Sequence, residues 1–349
     1  MRLAFLGDGR MGHVRRWVSY FQGRGHEVLL LSFEDPSGSS FPHRRMRGRL
    51  PTMTLAYLSG VPAIRRELAR FRPDLVNALY AGGYGTCAAL SGYPFVVSAL
   101  GSDLLIDYPN HPLHRLMIRS NLRKARLVTT DAEILSTVVR DAGVPEQRIL
   151  KAHFGVDPDI FHPPPNEATR AKPARVISTR NLHPVYGLED LISAAAVLSG
   201  LRFDLCGEGP DRARLTAQAE ATAPEAFRFH GKLDAPAVAE LLRAATVYVS
   251  TSRSDSTSVS LLEAMACGTA PVLSDIPANH EWIEEGVNGL YYPAGDAAAL
   301  GEAVSRLLED DSLRASFRKR NLEIIRERGL WQPNMRRVET AFQKLAMKA

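Results

Sequence analysis

The residues best suited to chemistry crowd into 252–268, where the chain reads S-R-S-D-S-T-S-V-S-L-L-E-A-M-A-C-G. The apolar run at 246–250 predicts a buried strand before them. Strong helix formers fill 261–267, and Gly268 stands at the stop position. One carboxylate, Asp255, precedes this helix, and another, Glu263, lies inside it. The first N–H groups of a helix have no intrahelical partner and carry the positive end of its dipole. Ser258, Val259 and Ser260 therefore make a candidate phosphate site. Glu263, roughly one turn further in, has the reach to accept hydrogen bonds from a ribose diol, and Asp255 from another polyol. The same letters also describe an ordinary capped helix with a solvated glutamate, and on residue types alone both readings stand.

A second constellation opens the chain. Gly7-Asp8-Gly9-Arg10-Met11-Gly12 follows an apolar run at 2–6 and precedes a helical pattern at 13–23. This is G-x-G-x-x-G in the strand-to-helix setting of a dinucleotide fingerprint, with Gly9 and Gly12 free to let a phosphate approach. Glu34 and Asp35 end the next strand, about where a ribose-binding acid belongs. An NAD(P)-dependent dehydrogenase is a full alternative on these residues. His13 in the first helical turn is either a cleft residue or a surface histidine. The strand at 95–100 ends in Gly101-Ser102-Asp103, which makes Asp103 either a ligand contact or a cap. Arg180 follows a strand at 175–179, and Gly207-Glu208-Gly209-Pro210 follows one at 203–206; such a turn alone says little.

These residues need strands to aim them, and the alternation of strands and helices supplies two sets. The first half predicts strands at 2–6, 28–32, 75–78, 95–100, 127–130 and 149–152. Its helices fall at 13–23, 61–70, 82–91, 113–126 and 132–142, and 35–60 reads as irregular. The run Pro163-Pro164-Pro165-Asn166-Glu167-Ala168 reads as a linker. The second half predicts strands at 175–179, 203–206, 227–230, 246–250, 271–274 and 290–292. Its helices fall at 188–198, 212–221, 235–243, 261–267, 297–308 and 313–327, with a last one at 335–347. The expected division is a first α/β domain at 1–162, a linker at 163–173, a second domain at 174–330, and a terminal helix within 331–349. A chain of 349 residues suits two domains of this size.

Composition narrows the function classes. With 45% hydrophobic and 23% charged residues, a folded soluble protein is expected. No apolar run approaches the ~18–20 residues of a membrane span, and no signal peptide is evident. Cys87, Cys206 and Cys267 are odd in number and far apart, which argues against a disulfide framework or a zinc cluster and suits a cytoplasmic setting. Residues 1–173 carry a net charge of +8 and residues 174–349 a net of −3. The basic half favours anionic partners. No zinc-finger or RNP-like pattern points to nucleic acid. Four arginines at 42–50, and Arg115, Arg119 and Arg123 on a predicted amphipathic helix, would suit an anionic membrane surface or simply a solvated face.

Taken in order, these motifs resemble the retaining GT-B glycosyltransferases of family 4. Glu263-Ala264-Met265-Ala266-Cys267-Gly268 is similar to the end of the family's E-x7-E region, with Asp255 where a Glu is usual. Arg180 matches a diphosphate-binding cation, whereas the lysine expected six residues later is Tyr186. Gly207 and Gly209 match a G-x-G-P turn against the nucleotide, Gly289-Leu290 with Pro293 a later turn, and Gly155-Val156-Asp157 with Phe161 the exit from the first domain. A histidine frequent before Gly-Ser-Asp is Leu100 here. The resemblance covers nearly the whole chain and is most specific from 175 to 293. It implies two Rossmann-like doubly wound domains facing across a cleft, with the terminal helix crossing back to the first. It implies hexosyl transfer from a nucleotide sugar, UDP- or GDP-linked, to a glycan, glycolipid or small-molecule hydroxyl, with no further cofactor and no metal. Arg180, Ser258, Val259, Ser260 and Tyr186 would face the diphosphate, Glu263 the ribose and Asp255 the donor sugar. Asp103 would face the acceptor, and His13 would reach the cleft from the donor-binding side of the Gly-rich loop. It also implies a cytoplasmic enzyme, with peripheral contact at the inner membrane face as an option. The departures at 255, 186 and 100 leave a non-catalytic binding protein of the same fold as an alternative.

Overall fold

Leu3, Ala4, Phe5 and Leu6 are wholly buried, which is what a strand covered on both faces requires. They belong to β1 (Arg2–Leu6), which with β2 (Glu27–Ser32), β3 (His43–Arg45), β4 (Leu75–Leu79), β5 (Phe95–Ser98), β6 (Leu127–Thr130) and β7 (Ile149–Lys151) forms a seven-stranded sheet. Its order is β3-β2-β1-β4-β5-β6-β7, and every pairing is parallel. The order reverses between β1 and β4, so the mouth of a ligand site belongs at their carboxyl ends. This is a computed structural model, and it describes residues 1–35, 38, 40–47, 53–110, 112–166 and 174–347. Part of the expected linker, 167–173, and Gly48, Arg49 and Leu50 of the arginine-rich stretch lie outside the described residues.

A second sheet repeats the plan. Strands β8 (Arg175–Ser178), β9 (Arg202–Cys206), β10 (Phe227–Gly231), β11 (Val247–Ser250), β12 (Ala270–Ser274) and β13 (Leu290–Tyr292) pair in the order β10-β9-β8-β11-β12-β13, all parallel. Its order reverses between β8 and β11. Each sheet carries its own apolar core, one around Leu6, Val76 and Val97, the other around Val176, Val249 and Val272.

The chain divides into two compact units, Met1–His153 joined by Asn334–Ala349, and Phe154–Pro333. The first boundary falls before the expected 162. Val156 and Phe161 are buried in the second unit's core, and the Val156 N–H donates to the Gly329 carbonyl at 2.8 Å. The end of the chain packs on the first unit. Glu339, in the helix Trp331–Ala346, accepts hydrogen bonds from Tyr20 and His26, and Phe342 stacks on Phe21 with centroids 5.3 Å apart.

The stretch 35–60 is less irregular than expected. It holds β3, an edge strand whose two arginines face water, and the start of a helix, Met53–Phe71, that runs through Pro62. Within that helix Gly60 lies where any Cβ would meet the Phe33 ring at 2.6 Å. That glycine is there for close packing, not for a break.

Candidate functional site

In the second unit, Arg180 leaves the carboxyl end of β8 and the loop after β11 rises beside it. The helix Val259–Ala266 starts two residues before the expected 261, capped by the Ser258 hydroxyl, which accepts from the Leu261 N–H at 3.3 Å. Arg180 is 8% exposed and lies against that start. One guanidinium nitrogen donates to the hydroxyls of Ser258 at 2.8 Å and Ser260 at 2.9 Å. The other donates to Asp255 at 2.6 Å. The Tyr186 ring packs under the guanidinium at 4.1 Å, so Tyr186 meets Arg180 through its face. Burial disfavours the Arg180 charge, and Asp255 outweighs it, so the cation is held firmly.

This pole has donors to spare. The Arg180 Nε and the hydroxyls of Ser178 and Thr179 are buried at the end of β8 with no hydrogen-bond partner. Unmet buried polar atoms grouped this way mark a place for a polar ligand. Glu263 lies inside the same helix, half-buried. Val259 is the first helical residue.

Gly207 and Gly209 face protein backbone. A Cβ on Gly207 would meet the Arg180 carbonyl at 2.6 Å, and one on Gly209 the Leu182 carbonyl at 2.0 Å. Their turn buttresses the loop that carries Arg180, with Leu182 N–H bound to the Glu208 carbonyl at 3.0 Å. Arg253 does not replace the missing lysine at 186. It forms a two-pronged pair with buried Asp190 at 2.7 Å, and Tyr292 and the Gly295 N–H bind the same carboxylate.

In the first unit, the loop Gly7–Gly12 has the letters of a dinucleotide fingerprint, but several of its N–H groups are engaged within the protein. The N–H groups of Gly7, Gly9, Arg10 and Met11 donate to the Leu31 carbonyl, Ser32 Oγ, Asp8 Oδ1 and the Asp8 carbonyl. Asp8 itself would meet a pyrophosphate. Partial burial pushes its carboxyl up, but Arg10, bound to it at 2.8 Å, outweighs this and keeps it below the usual carboxylate range. A Cβ on Gly12 would meet nothing within 4 Å, so no neighbouring protein group requires a glycine there.

A cavity of about 590 Å³ opens at the carboxyl ends of β1 and β4. His13 lines it, with burial pushing its imidazole toward the neutral form. Leu100 lines it too. Asp103 departs from the expectation of an acceptor contact. It is fully buried, and its carboxylate accepts from the N–H groups of Ala81, Leu100, Gly101 and Leu104, tying β4's end to β5's. Burial pushes it up to about 6 despite those donors. The tyrosines of the cavity, Tyr57, Tyr80 and Tyr84, were not singled out by sequence. The available signal was position: Tyr80 follows β4 directly, and Tyr84 opens the helix Gly83–Ala89. Among the described residues no group of three or more His, Cys, Asp or Glu side chains forms a metal site, and no helix is long and apolar enough to cross a membrane.

Comparison with known proteins places the same two halves. Residues 163–323 match the family Glycosyl transferases group 1, and residues 2–132 match Glycosyl transferase 4-like. A phosphatidyl-myo-inositol mannosyltransferase of Mycobacterium leprae is 37% identical over 123 residues, 35% of this chain and 32% of that protein. The chain thus spans about a third of the length of that relative. An N-acetyl-alpha-D-glucosaminyl L-malate synthase of Bacillus anthracis is 23% identical over 287 residues, 77% of this chain and 74% of that protein. Among solved structures, sucrose-phosphate synthase from Thermosynechococcus elongatus superposes with a TM-score of 0.87 at 18% identity, covering 100% of both chains. Anabaena HepE in complex with UDP-glucose gives 0.83 at 19% identity, covering 99% of this chain and 100% of that one. At such identities these structures establish the fold, GT-B.

Proposed function

Because the chain belongs to the group 1 glycosyl transferases of the family 4 type, we propose that it moves a sugar from a nucleotide-sugar donor to an acceptor hydroxyl with retention at the anomeric carbon. The observation that carries this reading is the buried Arg180 fork at the start of the helix Val259–Ala266, with its Nε and two neighbouring hydroxyls unmet. A donor diphosphate gives these groups acceptors. As the bond from the anomeric carbon to phosphate oxygen breaks, charge develops on that oxygen, and Arg180 with the helix start stabilises it. The acceptor oxygen bonds to the carbon on the same face and its proton passes to the departing phosphate. Glu263 binds the ribose hydroxyls, Asp255 the donor sugar, and the first unit holds the acceptor. Charge neutralisation falls to Arg180 and the helix start, with no metal ion in the step. UDP or GDP is the expected leaving group, and envelope glycan, glycolipid or glycoside synthesis the expected setting.

The dehydrogenase alternative is disfavoured by the family matches and by Asp8, whose carboxylate, held ionised by Arg10, stands in the loop where a pyrophosphate would lie. Thermal unfolding with UDP, GDP, ADP, NAD and NADP in parallel tests both. A ligand at ~100 times its dissociation constant stabilises by about 2.7 kcal/mol. A shift with UDP, GDP or ADP alone supports the transferase and names the base; a shift with NAD or NADP alone overturns it. Slow hydrolysis of any nucleotide sugar counts against a non-catalytic binding protein.

A second reading concerns a membrane surface. The helix Pro112–Lys124 leaves Leu113 81% and Leu116 66% exposed beside Arg115. Arg123 is also exposed, whereas Arg119 donates to the Ala142 carbonyl at 3.1 Å. Exposed leucines among arginines suit the interface of an anionic bilayer. Cosedimentation with phosphatidylglycerol vesicles is expected for the wild type and reduced by charge reversal at Arg115 and Arg123. Failure of the wild type to bind ends this reading.

A further inference from the structure

The cavity at the carboxyl ends of β1 and β4 has an uneven lining. Three tyrosine rings, Tyr57, Tyr80 and Tyr84, give it broad apolar faces, with Tyr57 and Tyr84 packed edge to face at 5.1 Å. Carboxylates stand beside them. Glu34 accepts from the Tyr84 hydroxyl at 2.5 Å, and Asp107 from the Tyr80 hydroxyl at 2.9 Å. Among the described lining residues Arg10 is the one arginine or lysine, and Asp8 already holds it. Tyr80 is fixed with a φ of +134°, a conformation that side-chain-bearing residues rarely adopt. Strain of this kind persists where the surroundings impose it, and it gathers at ligand sites.

We infer that the acceptor entering this cavity presents hydroxyl groups and an apolar ring face, and carries no phosphate or carboxylate at the end that enters. This rests on the reading above that the first unit holds the acceptor. A carboxylate has lone pairs for hydroxyl donors and nothing for an anion. A phosphate here would face Glu34 and Asp107 in a half-enclosed space and would have to displace Asp8 from Arg10. A sugar or phenolic ring instead lays its apolar face on the tyrosines while its hydroxyls donate to the carboxylates. A cavity of about 590 Å³ has room for one or two such rings. Of the two lining histidines, His13 and His114, burial pushes His13 toward its uncharged form.

Calorimetric titration of the full chain with para-nitrophenyl glucoside and with its phosphate monoester tests this, each with and without UDP or GDP. The glucoside is expected to bind at least about tenfold more tightly than the ester. Glu34→Gln combined with Asp107→Asn, changes that keep side-chain size, is expected to narrow that gap by strengthening ester binding. Equal or tighter binding of the ester to the wild type, or no binding of the glucoside, overturns the inference. Glucoside preference with no binding of UDP or GDP would instead remove the transferase reading and leave a cavity for uncharged ligands.

Discussion

The Arg180 guanidinium and the Asp255 carboxylate meet at 2.6 Å, with side chains only 8% and 16% exposed. Asp255 therefore covers one edge of the fork that faces the helix start, while Ser258 and Ser260 hold the other. A buried cation needs such a partner, because a lone charge out of water is costly. Under the proposed function Asp255 also occupies ground that a phosphate oxygen would take.

Asp255→Asn is expected to tighten UDP binding by about threefold to tenfold, because a neutral amide competes less for Arg180 than a carboxylate does. Sugar transfer should fall at the same time, since the donor sugar loses its carboxylate contact. Calorimetric titration with UDP reads the first effect. Weaker binding would mean that Asp255 supports the nucleotide and does not compete with it.

Arg180→Lys keeps the charge and loses the fork. A single ammonium cannot serve Ser258, Ser260 and Asp255 together while lying flat on the Tyr186 ring. Stability should drop by about 1–3 kcal/mol, the range for hydrogen bonds to a charged group left unmade. UDP affinity should fall with it. A variant indistinguishable from wild type in both would leave the fork without the role given to it.

The sheets were legible because parallel strands buried on both faces read as apolar runs, as in Leu3–Leu6 and Val247–Ser250. The cluster around Arg180 was legible for a related reason. Arg180 and Asp255 each follow a strand on either side of the order reversal, and the hydroxyls precede a helix. The tyrosine cavity was not legible, since Tyr57, Tyr80 and Tyr84 come from separate elements that only the strand order brings together. Asp103 shows the opposite failure. Its place at a strand end was read correctly, yet four backbone donors claim its carboxylate. The loop Gly7–Gly12 shows why a motif needs its surroundings, because Ser32 and Asp8 engage three of its N–H groups and Asp8 puts a carboxylate where a pyrophosphate would lie.

Glu263→Ala should weaken nucleotide binding by about 1–3 kcal/mol, as expected for loss of a charged hydrogen bond to ribose hydroxyls. The corresponding 2′,3′-dideoxynucleotide should bind wild type and variant alike. Unchanged UDP affinity in the variant would take Glu263 out of the site.

Gly209→Ala tests the buttress. Its Cβ would lie 2.0 Å from the Leu182 carbonyl, so the Arg180 loop has to move. Overpacking of this kind costs about 1–3 kcal/mol. UDP affinity should fall with the displacement of that loop. Retained affinity with lowered stability would uncouple the turn from Arg180.

Glu339 should give the first unit a dependence on acid. Burial alone would push its carboxyl up, but His26 at 2.8 Å, Tyr20 at 2.9 Å and Arg24 at 3.2 Å outweigh burial and hold it below the ordinary 4.5. The unfolded chain then binds the proton more readily than the folded one. The stability from this carboxylate is fully present above the unfolded value and is lost as pH falls through the lower, folded value. Hydrogen exchange of the Trp331–Ala346 helix amides reads this locally. At neutral pH Glu339→Gln should open that helix more easily by about 1–3 kcal/mol. Below the ordinary 4.5 the wild type should lose protection and converge on the variant. A difference that stays constant through this range would show that packing of Phe342 on Phe21 holds the helix, with Glu339 a bystander.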